Sequence, residues 1–402
     1  MHGINFENFK YYLKMFFLSV LVGAVAGLST ALLLQLLKQV TDFRETHRII
    51  IYFLPFGGLL IGLAYYHYGK TAEGGTGLIL DEVHNPQNII PLIMAPLVFM
   101  GTVVTHLFGG SAGREGTAVQ VSSTLADQVA KVFSISKKAR RNLLIAGAGA
   151  GFSAAIGAPL AGAIFGLELV QVGKFKLPAV FESCIASSVS FYVCKSLGFS
   201  HSIFATITSI EYSLNTIFAV IASGIFFGLA SRGFIWLTHV VVELNKRYIQ
   251  NAPLRPFVGG LLLLFLFWLE GSYRFIGLGF PTIQNAFLYS SSVAEPILKA
   301  GFTALTVGSG FKGGEFIPLV FIGTTLGSFL ASVFSVSVPL FAALGFAAVF
   351  GSASNTPLAC TIMAMEIFGW QVGPFAFSVC LIAFYFSGKR SIYKKKIETV
   401  CN

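Results

Sequence analysis

The stretch Gly109-Gly110-Ser111-Ala112-Gly113-Arg114-Glu115-Gly116-Thr117-Ala118-Val119-Gln120 sets an arginine beside a carboxylate between long apolar runs, with four glycines around them. Ionisable side chains at membrane depth are costly, so they face a cavity or a partner and mark ion or proton paths. The glycines bare the backbone where a helix is expected to begin. That leaves N–H groups and the positive end of the helix dipole free to face an anion. Glu115 is therefore expected at the mouth of an anion site. The plainer alternative is that Arg114 and Glu115 neutralise each other or lie in a surface loop.

Three further segments offer complementary groups. Gly74-Gly75-Thr76-Gly77-Leu78 places a hydroxyl at a glycine-flanked helix start. Gly313-Gly314-Glu315-Phe316-Ile317-Pro318 supplies bare N–H groups and a second acid, and Tyr393 adds a phenol that can donate. Taken singly, Thr76 and Tyr393 read as ordinary membrane hydroxyls. Arg114 is as readily a partner for an acid such as Glu82 as a ligand, and Lys312 reads as a partner for Glu315 or as a snorkelling lysine.

The elements that must position these groups follow from composition. The chain has 402 residues, 55% of them hydrophobic and only 11% charged, with a mean hydropathy of +0.77. That is more apolar surface than a soluble core of this size can hide, so the chain reads as an all-α polytopic membrane protein. The net charge of +10 resides in short clusters: Lys10 and Lys14; Lys131, Lys137, Lys138, Arg140 and Arg141; Lys174 and Lys176; Lys246, Arg247 and Arg255; and Lys389, Arg390, Lys394, Lys395 and Lys396. This is the positive-inside pattern, which places both termini in the cytoplasm and implies no nucleic-acid partner. The first apolar run, Tyr11 to Leu37, is too long for a cleavable signal. The five cysteines, Cys184, Cys194, Cys360, Cys380 and Cys401, and the seven histidines lack metal-ligand spacing, so no metal or cofactor is expected.

Some apolar runs are long enough to span, while Leu78 to Val83, Thr117 to Ala126, Leu160 to Leu167, Phe316 to Leu326 and Leu358 to Ile367 read as short, broken helices whose ends meet inside the bilayer. A gapless shift of 198 positions aligns Gly110 with Gly308, Arg114 with Lys312, Gly116 with Gly314, Phe152 with Phe350, Pro159 with Pro357 and Glu168 with Glu366. Two homologous halves are expected, residues 1–200 and 201–402, inverted in the membrane, with the site where they meet and no soluble regulatory domain. Glu168 and Glu366 are expected to tie helices within each half rather than to carry protons.

These motifs, in this order and over nearly the whole chain, resemble the CLC family of anion channels and anion/proton antiporters. The resemblance implies a CLC-type fold of two inverted-topology repeats with short broken helices meeting at the midplane. It implies that a central anion is held by Thr76, the backbone N–H groups of Glu315 and Phe316, and Tyr393, with Phe316 lining the pore. Glu115 would be the gating glutamate that competes with the anion and carries the proton. Gly75, Gly77, Gly113, Arg114, Gly116, Gly313 and Gly314 would support them. A homodimer with one pore per subunit is implied, its interface around Leu160 to Leu197 and Leu358 to Phe386, in the plasma (inner) membrane.

Departures from the chloride-handling members narrow the expectation. Their central serine is Thr76 here, the proline after Gly-Arg-Glu-Gly is Thr117, and the usually apolar residue after Gly-Gly is Glu315. Their inner proton-accepting acid falls on Leu169, beside Glu168. The combination resembles the fluoride/proton antiporter branch, in which methionine is common where Thr76 stands. Fluoride is small and tightly hydrated, so a site must offer several strong donors. Backbone N–H groups, Thr76, Tyr393 and a protonated Glu315 can supply them. The expected function is export of fluoride in exchange for protons, with a chloride/proton antiporter or a passive CLC-type anion channel as alternatives. An intramembrane protease using paired acids lacks its motif chemistry here, so no enzyme is expected.

Overall fold

The computed structural model describes residues 6–170, 177–199, 204, 206–208, 210 and 212–393. Lys174, Lys176, Lys394, Lys395, Lys396 and Cys401, used above, lie outside the described residues. The described residues form sixteen α-helices. The first eight are α1 (Phe6–Thr46), α2 (Leu54–Tyr68), α3 (Thr76–His84), α4 (Met94–Leu107), α5 (Glu115–Val132), α6 (Lys137–Ile156), α7 (Pro159–Val170) and α8 (Leu177–Ser196). Then follow α9 (Leu214–Tyr248), α10 (Leu254–Glu270), α11 (Phe280–Ala286), α12 (Ala294–Gly308), α13 (Phe316–Val333), α14 (Val338–Ser354), α15 (Pro357–Phe368) and α16 (Gly373–Ser387). Among the described residues five segments are long and apolar enough to cross a membrane, Leu214–Tyr248 and Phe316–Val333 being two of them.

Local chemistry sets the helix ends. Ser136 accepts from the Ala139 N–H and starts α6, and Ser213 accepts from the Thr216 N–H and starts α9. Gly157 and Asn355, both left-handed, stop α6 and α14, and Pro159 and Pro357 then open the next helices. Two of the helices expected to be short are not: α5 and α13 each run for 18 residues. Polar residues that interrupt the apolar run do not interrupt the helix, because hydroxyls bond back to the preceding turn, as Thr124 does to the Gln120 carbonyl at 2.7 Å.

The gapless register needs correction. Gly113 and Gly314 face each other in an antiparallel bridge, whereas a shift of 198 pairs Gly113 with Phe311 and Arg114 with Lys312. Helix α14 has 17 residues against the 20 of α6, and this three-residue difference restores the 198 register by Pro159 and Pro357. Abundant glycine on both sides of the gap produced matches in the wrong frame. Beyond it the equivalence is reciprocal. Glu168 accepts from the Leu358 and Ala359 N–H groups at 3.1 and 2.8 Å, and Glu366 from those of Leu160 and Ala161 at 3.0 and 2.8 Å. Each acid caps the helix of the opposite half, not its own, placing a carboxylate on the positive end of a helix dipole.

Arg140 is not the solvated cytoplasmic charge its place in a basic cluster implies; it is 7% exposed and belongs to the first turns of α6. It donates to Asp127 of α5 at 2.6 and 2.9 Å, to Glu82 of α3 at 3.0 Å and to the Asn88 carbonyl at 2.6 Å. The same carboxylates accept from the backbone of residues 87, 88 and 90, so one guanidinium fixes α3 and its following loop against α5 and α6. Removing one partner of such a cluster strands buried charge. Arg140→Ala is expected to cost about 3–5 kcal/mol of stability. Thermal unfolding in detergent measures it, and an unchanged melting temperature would count against this role.

Candidate functional site

Two helix starts meet back to back. The Gly113 N–H donates to the Gly314 carbonyl at 2.6 Å and the Gly314 N–H to the Gly113 carbonyl at 2.7 Å. Arg114 and Glu315 then occupy the N-cap positions of α5 and α13. Only glycine allows this approach: a Cβ on Gly314 would lie 2.6 Å from the Gly116 nitrogen, and Gly313 sits at φ 153° with its Cβ position 2.6 Å from that of Ala112. The N–H groups of both first turns, with their dipole ends, are thereby brought to one place.

Beside this bridge lies a cavity of about 220 Å³ lined by Gly75, Thr76, Gly77, Glu115, Gly116, Gly313, Gly314, Glu315, Phe316 and Tyr393. Of the residues singled out from sequence, Gly113 and Arg114 do not line it. Gly113 forms the bridge, and Arg114 faces a second, smaller cavity of about 40 Å³ with Phe280. Glu115 and Phe316 line both cavities.

Glu115, the first residue of α5, is 2% exposed. Its carboxylate accepts from the Arg114 N–H at 3.1 Å and from Arg114 Nε at 3.4 Å. Arg114 also sits over the Phe280 ring, 5.6 Å from its centroid. Arg114 does partner an acid, but not Glu82, which Arg140 takes; it pairs with the neighbouring Glu115.

Thr76 opens α3 after Gly75, whose φ of 53° favours glycine. Its hydroxyl accepts from Gln120 Nε2 at 3.2 Å. Gln120, at the end of the central stretch and without an expected role, lines the cavity and orients Thr76. The signal was helical spacing: Glu115, Gly116, Val119 and Gln120 all line the cavity, the i, i+1, i+4 and i+5 positions of one face. Lys312 and Tyr65 also line it, with Lys312 Nζ 3.8 Å from the centre of the Tyr65 ring.

Tyr393 reaches the cavity on the segment after α16, where the Ile392 N–H donates to the Ala353 carbonyl at 3.0 Å. The aromatic wall is a cluster of Phe152 stacked on Phe165 at 3.9 Å, with Phe316 edge-on to Phe350 at 4.6 Å. Leu169, at the position of the inner proton-accepting acid of chloride-handling relatives in the sequence expectation, is buried among apolar residues, and Glu168 beside it is occupied in capping α15.

The fold and site define a polytopic all-α membrane transporter built around a cavity between opposed helix starts. Residues 57–388 match the voltage gated chloride channel family, and the chain belongs to that family. It is 43% identical to a "Chloride/fluoride channel protein" of Pseudomonas syringae pv. tomato, over 95% of this chain and 86% of the relative. It is 26% identical to the "H(+)/Cl(-) exchange transporter ClcA" of Vibrio cholerae, over 88% of this chain and 82% of that one. Among solved structures, one described as a CLC-type fluoride/proton antiporter superposes with a TM-score of 0.92 at 33% identity, covering 98% of this chain and 99% of the other. A slow cyanobacterial Cl-/H+ antiporter shares the fold, with a TM-score of 0.80 at 20% identity, covering 94% and 96%.

Proposed function

We propose that the protein is a secondary active transporter that exports fluoride in exchange for protons. The observation that carries this reading is the place of Glu115, a buried carboxylate at a helix start that lines both the large and the small cavity. Ionised, it occupies the position an anion would take; protonated, it can leave that position and deliver a proton to the other side. The likeness to a chloride/fluoride channel protein and to a fluoride/proton antiporter supports fluoride as the anion.

Thr76, the N–H groups of Glu315 and Phe316, and the Tyr393 phenol are the proposed anion ligands. Gly75, Gly77, Gly113, Gly116, Gly313 and Gly314 permit the close backbone approach, and Arg114 steadies Glu115. Glu315, protonated, donates a further hydrogen bond to fluoride. The chain is read as two inverted repeats, residues 1–200 and 201–402. It acts as a homodimer with one pore per subunit, in the plasma membrane with both termini cytoplasmic.

Purified protein in liposomes tests the function, with fluoride efflux and proton uptake followed together. An imposed fluoride gradient should drive protons uphill. Fluoride movement without protons would make the protein a passive channel, and chloride competing on equal terms would make it a chloride/proton exchanger. For Glu315, replacement by valine should weaken fluoride binding about 10–100-fold, the scale of one hydrogen bond to a charged group. Glu315→Gln keeps an N–H donor and should lose less. Equal losses in the two variants, read by isothermal titration with fluoride, would show that neither the shape of the side chain nor an N–H donor in place of the carboxyl proton sustains binding, and would remove hydrogen-bond donation as the role of Glu315.

A further inference from the structure

A second concentration of positive charge lies apart from the transport cavity. Arg232, Gly233 and Trp236 of α9, with Ser387, Gly388, Lys389 and Arg390 at and after the end of α16, line a groove of about 690 Å³. Among the described residues three cations line it and no carboxylate does. It shares no lining residue with the two cavities that Glu115 touches.

Its level in the membrane follows from α9. That helix is an apolar span starting at Leu214. Arg232 and Trp236 come about 27 and 33 Å further along it at 1.5 Å per residue, close to one hydrocarbon thickness of ~30 Å. Counted with Leu214 at one edge of the hydrocarbon, they fall where the span leaves it. Trp236 is 59% exposed, as suits an indole at that boundary, and Leu229 beside it is 47% exposed. The groove thus offers cations at headgroup level and apolar surface just below.

We propose that this groove binds the phosphate of an anionic phospholipid, with Arg232, Lys389 and Arg390 around the phosphate and an acyl chain along Leu229. A small hydrated anion needs convergent donors in a closed site, whereas a phosphodiester with its chains matches both the spread of charge and the apolar flank. The placement has a consequence for the segment bearing Tyr393. On its inner side that segment is held by the Ala353 carbonyl, which accepts from the Ile392 N–H at 3.0 Å and the Ser391 hydroxyl at 3.1 Å. Lipid phosphate on Lys389 and Arg390 would hold its outer side. The link to transport rests on the anion-binding role proposed for Tyr393; the lipid site itself does not.

Native mass spectrometry of the purified full chain, with phosphatidylglycerol or phosphatidylcholine added, tests the site. Phosphatidylglycerol is expected to remain bound and phosphatidylcholine to be lost. The triple variant Arg232→Gln/Lys389→Gln/Arg390→Gln is expected to lose affinity for phosphatidylglycerol on the order of 100-fold, from the contribution of each basic residue near an anionic surface. Arg232→Lys/Arg390→Lys should retain it. Should the triple variant fail to elute as the wild type does, Arg232→Gln alone, expected to lose about 5-fold, carries the comparison. Equal retention by the wild type and the neutralised chain would overturn the proposal. So would displacement of the lipid by millimolar inorganic phosphate, which would mark a site for a soluble anion. In liposomes, adding phosphatidylglycerol to phosphatidylcholine should speed exchange by the wild type and not by the neutralised chain. Mass spectrometry reads the lipid whatever ion is carried, so a failure of fluoride exchange would leave the binding result standing.

Discussion

Glu115→Ala is expected to abolish fluoride-driven proton uptake while leaving fluoride able to move down its own gradient. The side chain lines both cavities, and its loss joins them with nothing in place to carry a proton between them. The fall in coupled proton flux should be about two orders of magnitude or more, the scale on which a positioned proton-transfer group acts. Glu115→Gln should also uncouple, but for a different reason: the amide keeps the size of the protonated acid and cannot exchange a proton. Alanine is therefore expected to pass fluoride faster than glutamine. The fold should survive both changes, since among the described residues the Glu115 carboxylate accepts hydrogen bonds from its own turn, from the Arg114 N–H and guanidinium, and from no other element. Proton uptake persisting in Glu115→Ala proteoliposomes under a fluoride gradient would remove Glu115 from the pathway.

The parts of this arrangement legible in the sequence are those in which chemistry violates its surroundings. Glu115, Arg114 and Glu315 stand out because charge in an apolar chain demands a cavity or a partner, and the glycine pairs at Gly113 and Gly314 stand out because helices seldom begin with so little side chain. What was not legible depends on contacts between distant segments. Arg140 sits in a basic cluster that reads as an orientation signal, yet packing turns it inward onto Glu82 and Asp127. Glu168 and Glu366 read as ties within their own halves, and only the crossing of α7 with α15 shows that each caps the other. The repeat itself was visible through proline and acid matches. Its register was not, because a three-residue difference between α6 and α14 is masked by glycine on both sides. Lys299, fully buried in α12, donates to the Phe275 and Gly277 carbonyls at 3.1 and 2.8 Å; by the same rule it demands a partner, but nothing in the sequence says that the partners are backbone carbonyls more than twenty residues away.

Gly314→Ala is expected to lower fluoride flux itself, which loss of Glu115 leaves running, without adding or removing a charge. A methyl group at this position would stand 2.6 Å from the Gly116 nitrogen and 3.3 Å from the Glu115 nitrogen, all of it backbone that cannot rotate away. Relief requires the two helix starts to separate, which breaks the reciprocal bonds of 2.6 and 2.7 Å between Gly113 and Gly314 and re-aims the first N–H groups of α5 and α13. Preorganised donors lose most of their effect when displaced by about 1 Å, and a loss of about 100-fold is the corresponding scale. Gly301→Ala, in α12, supplies the control, because nothing lies within 4 Å of the added methyl. It should transport as the wild type does and melt no lower, since alanine favours a helix over glycine. Both variants carry the same chemical change, so the contrast isolates the approach of the two helix starts from the general effect of replacing glycine. Equal fluoride flux in the two, measured at matched protein density in liposomes, would mean that the bridge between Gly113 and Gly314 is incidental and that the anion is bound elsewhere.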